Sequence, residues 1–89
     1  MSRKVLFSSN GWADYLYWQA EDRAVLRKLN RIIEDIRRNG NADGIGKPEP
    51  LRQNLSGLWS RRITKEHRIV YHADESVLTI IACRFHYDD

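Results

Sequence analysis

Arg68-Ile69-Val70-Tyr71-His72-Ala73-Asp74-Glu75-Ser76-Val77-Leu78-Thr79-Ile80-Ile81-Ala82-Cys83-Arg84-Phe85 is the stretch that decides the fold. Two runs rich in β-branched and aromatic residues flank Asp74-Glu75-Ser76, residues that favour a tight turn, so the segment reads as two strands of a hairpin. Leu58 to Ile63 has the same character and adds a strand in front, giving an antiparallel meander. Residues two apart on a strand share a face. Ile69 and Tyr71 therefore fall on one side, and Arg68, Val70 and His72 on the other. In the last strand Ile80, Ala82 and Arg84 are expected on one side, and Thr79, Ile81, Cys83 and Phe85 on the opposite one. Periodicity leaves the facing of His86 and Tyr87 open.

Upstream the period changes from two to that of a helix. Lys4 to Ser8 reads as a first strand. Ser9 or Asn10 is expected to cap a helix running to about Glu21, with Trp12, Tyr15, Leu16 and Gln19 on its core face. Asp22 caps a second helix, in which Val25, Leu26, Leu29, Ile32, Ile33 and Ile36 form an apolar stripe. Arg23, Arg27, Lys28, Arg31, Arg37 and Arg38 make up its solvated face. Asn39-Gly40-Asn41 ends that helix, and Gly44, Gly46, Pro48 and Pro50 keep the next segment irregular. Long ordered loops in small domains often carry function, so Gly46-Lys47-Pro48-Glu49-Pro50-Leu51 is the first place to look for chemistry. The order predicts one α+β domain over residues 1–89.

Eighty-nine residues, 42% hydrophobic and 30% charged, suit a single folded core and leave no room for a second catalytic domain. The start, Met1-Ser2-Arg3-Lys4-Val5-Leu6-Phe7, is too briefly apolar for a signal peptide or a spanning helix, and a cytoplasmic protein is expected. Cys83 is the one cysteine and sits in an apolar run, which reads as core packing. The net charge is +3, but between Lys47 and Arg68 six basic residues (Lys47, Arg52, Arg61, Arg62, Lys65, Arg68) face two acidic ones (Glu49, Glu66), a local +4. Such a cluster on neighbouring strands suits a polyanion.

A loop carboxylate, a strand arginine and a histidine near the end are the parts that metal-free RNA cleavage needs. The 2′-OH of RNA attacks the adjacent phosphorus when a base takes its proton, an acid protonates the departing 5′-oxygen and a cation stabilises the added charge. Glu49 suits the base, His86 the acid and Arg68 the cation, with Lys47 and Tyr87 assisting; no cofactor is called for. Each has a plainer reading: Glu49 as a solvated loop acid, Arg68 in a surface ion pair with Glu66 or Glu49, His86 as an exposed histidine. His67 and His72 are assigned to structure or solvent. The three histidines lack metal-binding spacing.

Asp14-Tyr15-Leu16-Tyr17-Trp18-Gln19, Gly46-Lys47-Pro48-Glu49-Pro50-Leu51, Asn54-Leu55-Ser56-Gly57-Leu58-Trp59-Ser60-Arg61-Arg62-Ile63, Glu66-His67-Arg68-Ile69-Val70-Tyr71 and Ala82-Cys83-Arg84-Phe85-His86-Tyr87 together resemble, in order and nearly end to end, the YoeB toxins of the RelE-like superfamily. The resemblance implies a RelE-like fold, two N-terminal helices on a twisted antiparallel β-sheet. It implies a toxin of a type II toxin-antitoxin system, an mRNA endonuclease that enters the A site of the 70S ribosome. A YefM-like antitoxin is the implied inhibitor, with operator DNA bound only by the toxin-antitoxin complex and a homodimer left open. Under it Glu49 is the general base, Arg68 the phosphate-stabilising cation, His86 the general acid and Tyr87 the adjoining aromatic. Lys47, Arg52, Arg61, Arg62 and Lys65 are then basic substrate-binding positions around the cleft. A non-cleaving A-site blocker and a corepressor acting with its antitoxin are the alternatives. Asp88 and Asp89 extend past the His-Tyr pair and are expected to favour protonated His86 where they lie close.

Overall fold

The computed structural model describes residues 2–85. The elements run β1 (Lys4–Phe7), α1 (Ser9–Glu21), α2 (Arg23–Asn39), β2 (Glu49–Pro50), a short 3-10 turn (Gln53–Leu55), β3 (Trp59–Arg62), β4 (Arg68–Ala73) and β5 (Val77–Ala82). They form one five-stranded sheet in the order β1-β5-β4-β3-β2, with both helices on one face. The expected α+β architecture and the antiparallel β3-β4-β5 meander are present, and β1 joins β5 in parallel, so the sheet is mixed. Among the described residues no helix is long and apolar enough to cross a membrane.

Capping explains the helix starts. Ser8, one residue earlier than expected, accepts the Gly11 N–H at 3.0 Å and donates its hydroxyl to the Ile81 carbonyl at 2.7 Å, tying the head of α1 to β5. Asp22 is the whole joint between the helices: its N–H closes α1 on Trp18, and its carboxylate accepts from Ala24 and Val25 to open α2. In α2 the apolar stripe is buried as expected, with Leu29, Ile32 and Ile36 fully so. Each such side chain stabilises the fold by about 1.5–3 kcal/mol.

The core face of α1 differs from expectation. Trp12, Leu16 and Gln19 are exposed, Tyr15 is half-buried, and the buried positions are Gly11 and Trp18. Gly11 sets this rotation: a Cβ there would meet the Ile80 carbonyl oxygen at 2.4 Å, so the helix packs against β5 on its bare side. Trp12 instead joins Phe7 and Tyr15 in an aromatic group, with ring centroids 5.5 and 6.0 Å from its own.

The sheet separates two apolar clusters. Ile63, Ile69, Tyr71, Ala73, Leu78, Ile80 and Cys83 face the helices, while Leu51, Val70 and Ala82 pack on the other side. Ile80 and Ala82 thus lie on opposite faces, against the simple alternation. Val70 pairs with Ala82 and Tyr71 with Ile80, leaving Ile81 as an extra residue, a bulge that reverses the phase of the strand. Cys83 consequently points to the main core, where burial pushes its thiol up to about 12.

Candidate active site on the helix-free face

Strand register decides which side chains meet. Arg68 and Val70 share the helix-free face of β4; Arg62 pairs with Arg68 and Ser60 with Val70 across β3; Glu49 pairs with Ser60 across β2. Glu49, Ser60, Arg62 and Arg68 therefore stand on one face, since directly opposite residues project to the same side. Glu49 and Arg68 are two strands apart, about 10 Å across the sheet and about 7 Å along it. Segment 46–51, expected to be irregular, contributes this two-residue edge strand at Glu49–Pro50. Lys47 enters it with φ 56, the left-handed region, and the preceding Gly46 carbonyl accepts the Arg62 N–H at 2.7 Å.

Arg68 is partly buried and held by the β3-β4 turn. Its Nη1 donates to the carbonyls of Thr64 (2.9 Å), Lys65 (3.2 Å) and His67 (3.2 Å). Among the described residues Nε and Nη2 meet no acceptor, and the ion pairs present are Arg37–Glu34, Arg38–Glu34 and Arg61–Asp35. The surface ion pair considered for Arg68 is thus not formed with Glu66 or Glu49. A guanidinium fixed by one nitrogen, with the rest of its fork meeting no acceptor among the described residues, is preorganised for an oxyanion.

Lys47, Glu49, Arg52, Arg62 and Lys65 are exposed, but Arg61 is completely buried. The assignment of Arg61 to the substrate surface is therefore corrected. Its Nη1 bonds Asp35 Oδ2 at 2.6 Å and the Ile45 carbonyl at 3.1 Å, its Nε bonds the Tyr71 hydroxyl at 2.8 Å, and its Nη2 bonds the carbonyls of Gly40 (2.8 Å) and Asp43 (2.7 Å). The Tyr71 hydroxyl donates to the Asn41 carbonyl at 2.6 Å, and burial raises its phenol pKa, against the lowering effect of Arg61. Arg61 is thus the post on which loop 40–46 is wound before it delivers Lys47 and Glu49. Its parity with Trp59 on β3 and with Ile63 just past it is the signal that it faces the helices.

Past Ala82 the chain is held largely by side chains from elsewhere. Asp14 accepts the Cys83 N–H at 3.0 Å, and Trp18 Nε1 donates to the Cys83 carbonyl at 2.7 Å. His67 Nδ1 accepts the Phe85 N–H at 2.7 Å, and the Phe85 carbonyl accepts the Arg68 N–H at 2.9 Å. Arg84 lies over the Tyr17 ring at 3.6 Å from its centroid. The described chain therefore ends hydrogen-bonded to Arg68. His86 and Tyr87, the expected acid and aromatic, and the Asp88-Asp89 tail lie outside the described residues. Among the described residues no group of three or more His, Cys, Asp or Glu is arranged to hold a metal ion.

Comparison with known proteins agrees with this architecture. Residues 7–87 match the family described as YoeB-like toxin of bacterial type II toxin-antitoxin system. Toxin YoeB of Escherichia coli O6:H1 is 55% identical over 84 residues, covering 94% of this chain and 99% of that protein. Among solved structures, the YoeB dimer from Staphylococcus aureus superposes with a TM-score of 0.91 at 42% identity, covering 98% of this chain and 100% of that one. The YoeB-YefM complex from Staphylococcus aureus gives a TM-score of 0.88 at 41% identity, covering 98% of this chain and 100% of that one. With nearly its whole length matched in sequence and in fold, the chain belongs to the YoeB family of toxins of bacterial type II toxin-antitoxin systems.

Proposed function

We propose that this toxin is a ribosome-dependent mRNA endonuclease that cleaves without a metal ion and so arrests translation in the cytoplasm. Glu49 takes the proton of the 2′-OH, whose oxygen attacks the adjacent phosphorus. Arg68 stabilises the phosphorane charge through its Nε and Nη2, and His86 returns a proton to the departing 5′-oxygen. The products are a 2′,3′-cyclic phosphate and a 5′-OH, with no water consumed. Tyr87 packs against the reacting nucleotide, and Lys47, Arg52, Arg62 and Lys65 hold flanking phosphates. The observation that carries the reading is the shared helix-free face of Glu49 and Arg68, with Arg68 bonded to the residue preceding His86.

A YefM-like antitoxin is the proposed inhibitor, since the Staphylococcus aureus relative forms a YoeB-YefM complex. A basic face of this kind suits an acidic segment that folds as it covers the site. Operator binding belongs to that complex, and self-association follows the Staphylococcus aureus YoeB dimer. The test is cleavage on programmed 70S ribosomes with a single 2′-deoxy substitution at the scissile nucleotide. Loss of cutting, with 5′-OH and cyclic phosphate ends on the unmodified message, is the expected result. Robust cleavage of the deoxy message would refute the 2′-OH mechanism, and translation arrest without any cut would leave a non-cleaving A-site blocker.

A further inference from the structure

Phe85 adopts φ 67, a left-handed backbone conformation that side chains with a Cβ populate sparsely. Such a conformation persists where surrounding contacts over-determine it, and these sites concentrate at functional positions. Here the peptide is held on both sides of the residue. The Phe85 N–H donates to His67 Nδ1 at 2.7 Å, and the Phe85 carbonyl accepts the Arg68 N–H at 2.9 Å. His67 is itself fixed. Its N–H bonds Thr64 Oγ1 at 3.1 Å, its carbonyl accepts Ile63 N–H at 2.9 Å, and its ring stands edge-on to Trp18 at 4.8 Å. One imidazole thus joins the turn that grips the Arg68 guanidinium to the last peptide before His86.

The geometry points to His67 as a positioning residue for the cleavage reaction: by accepting the Phe85 N–H at Nδ1, it holds the left-handed turn at Phe85, which is bonded to Arg68 and directly precedes His86 in the sequence. This rests on the assignment of His86 as general acid. His67 touches no reacting atom in this role. Its effect is on the rate of the chemical step rather than on ribosome affinity, because a misplacement of about 1 Å remote from the chemistry can cost on the order of 10²-fold. The alternative is that His67 is only an aromatic filler between Trp18 and Phe85, whose ring centroid lies 5.8 Å away.

Two substitutions separate these roles. His67→Phe keeps the ring and removes the acceptor, whereas His67→Asn keeps an acceptor near the Nδ1 position and removes most of the ring. Single-turnover cleavage on programmed 70S ribosomes at saturating toxin is expected to fall by on the order of 10²-fold for His67→Phe, at unchanged ribosome affinity. His67→Asn is expected to recover most of that loss. In the free toxin the Phe85 amide should exchange slowly in the wild type and His67→Asn, and rapidly in His67→Phe. An unimpaired rate in His67→Phe, an Asn variant slower than the Phe variant, or an equally protected Phe85 amide in all three proteins would overturn the inference. His86→Gln, run in parallel, distinguishes the failures. Wild-type cleavage by His86→Gln defeats the general-acid assignment and the inference with it. A slow His86→Gln beside a fast His67→Phe defeats the inference alone.

Discussion

Arg61→Ala removes a guanidinium that is wholly buried and makes bonds under 3.2 Å to Asp35, Tyr71 and the carbonyls of Gly40, Asp43 and Ile45. Asp35 keeps the Ile45 N–H and the Asn39 amide but loses its cation, and the carbonyls of Gly40 and Asp43 lose an ionic donor. Removing one member of a buried, hydrogen-bonded ion pair typically destabilises by about 3–5 kcal/mol. That is a large part of the roughly 5–15 kcal/mol that holds a small domain together. For a chain of this size it corresponds to a melting point lower by roughly 15–30 °C. Urea and thermal unfolding of Arg61→Ala, beside Arg62→Ala, measure it directly. Arg62, the exposed neighbour, should unfold within about 0.5 kcal/mol of the wild type, while its loss flattens the salt dependence of ribosome binding by a slope of about 1. An Arg61→Met, Asp35→Leu double variant should recover only part of the stability, because the loop carbonyls stay without donors. If Arg61→Ala unfolded like the wild type yet bound ribosomes weakly, the clamp would be wrong and Arg61 would be a phosphate contact.

Arg68→Ala should slow the single-turnover cleavage step by roughly 10²–10³-fold with a smaller change in ribosome affinity, and an unchanged rate would exclude it from the chemistry. Acid should weaken the fold through two exposed carboxyls. The Arg37 hydrogen bond, with Arg38 behind it, holds Glu34 at about 2, against 4.5 for an ordinary glutamate, and the Ser76 and Val77 N–H groups lower Asp74. Their stabilisation is complete above the ordinary carboxyl values and is lost as pH falls through the depressed ones. Unfolding free energy should therefore drop as pH falls from about 5 toward 2, less steeply in Glu34→Gln and Asp74→Asn, with identical slopes contradicting the linkage. The Cys83 thiol, buried and pushed up to about 12, should resist alkylation in the folded protein at neutral pH and react fully after denaturation. Rapid native labelling would show that the core around it opens.

The elements whose signals are local were legible in the sequence. Asp22 as a helix cap, the α2 stripe from Val25 to Ile36, the Asp74-Glu75-Ser76 turn and the order of the meander rest on neighbouring residues alone. The family resemblance singled out Glu49 and Arg68, and the register carries both to one face. What escaped depends on approach between distant segments. Trp12 and Leu16 match a helical stripe, yet the missing side chain of Gly11 turns the helix so that Trp18 is buried instead. The Ile81 bulge inverts the alternation of β5, and period-two reasoning cannot anticipate an unpaired residue. Arg61 stands among charged neighbours in the sequence, and only its strand parity with Trp59, a long-range packing matter, separates it from them. The parallel pairing of β1 with β5 needs the helices to carry the chain across the sheet.

Arg61 grips loop 40–46 by carbonyl oxygens, which every amino acid possesses, and this gives the loop an unusual pattern of sequence tolerance. Ala42, Asp43 and Ile45 are exposed, and the bonds that Asp43 and Ile45 make to the clamp are made by backbone atoms. Gly44 is different: it sits at φ 128, and a Cβ there would meet Asp35 Oδ2 at 1.7 Å. Asn41 is different too, since its amide both donates to and accepts from the backbone of Ala73, standing in for a length of strand. A library randomised over 41–45 should accordingly drift freely at 42, 43 and 45 and return glycine at 44 and asparagine at 41. The surface of this loop can then be re-lettered, and its chemistry changed, while the main-chain path that delivers Glu49 stays the same.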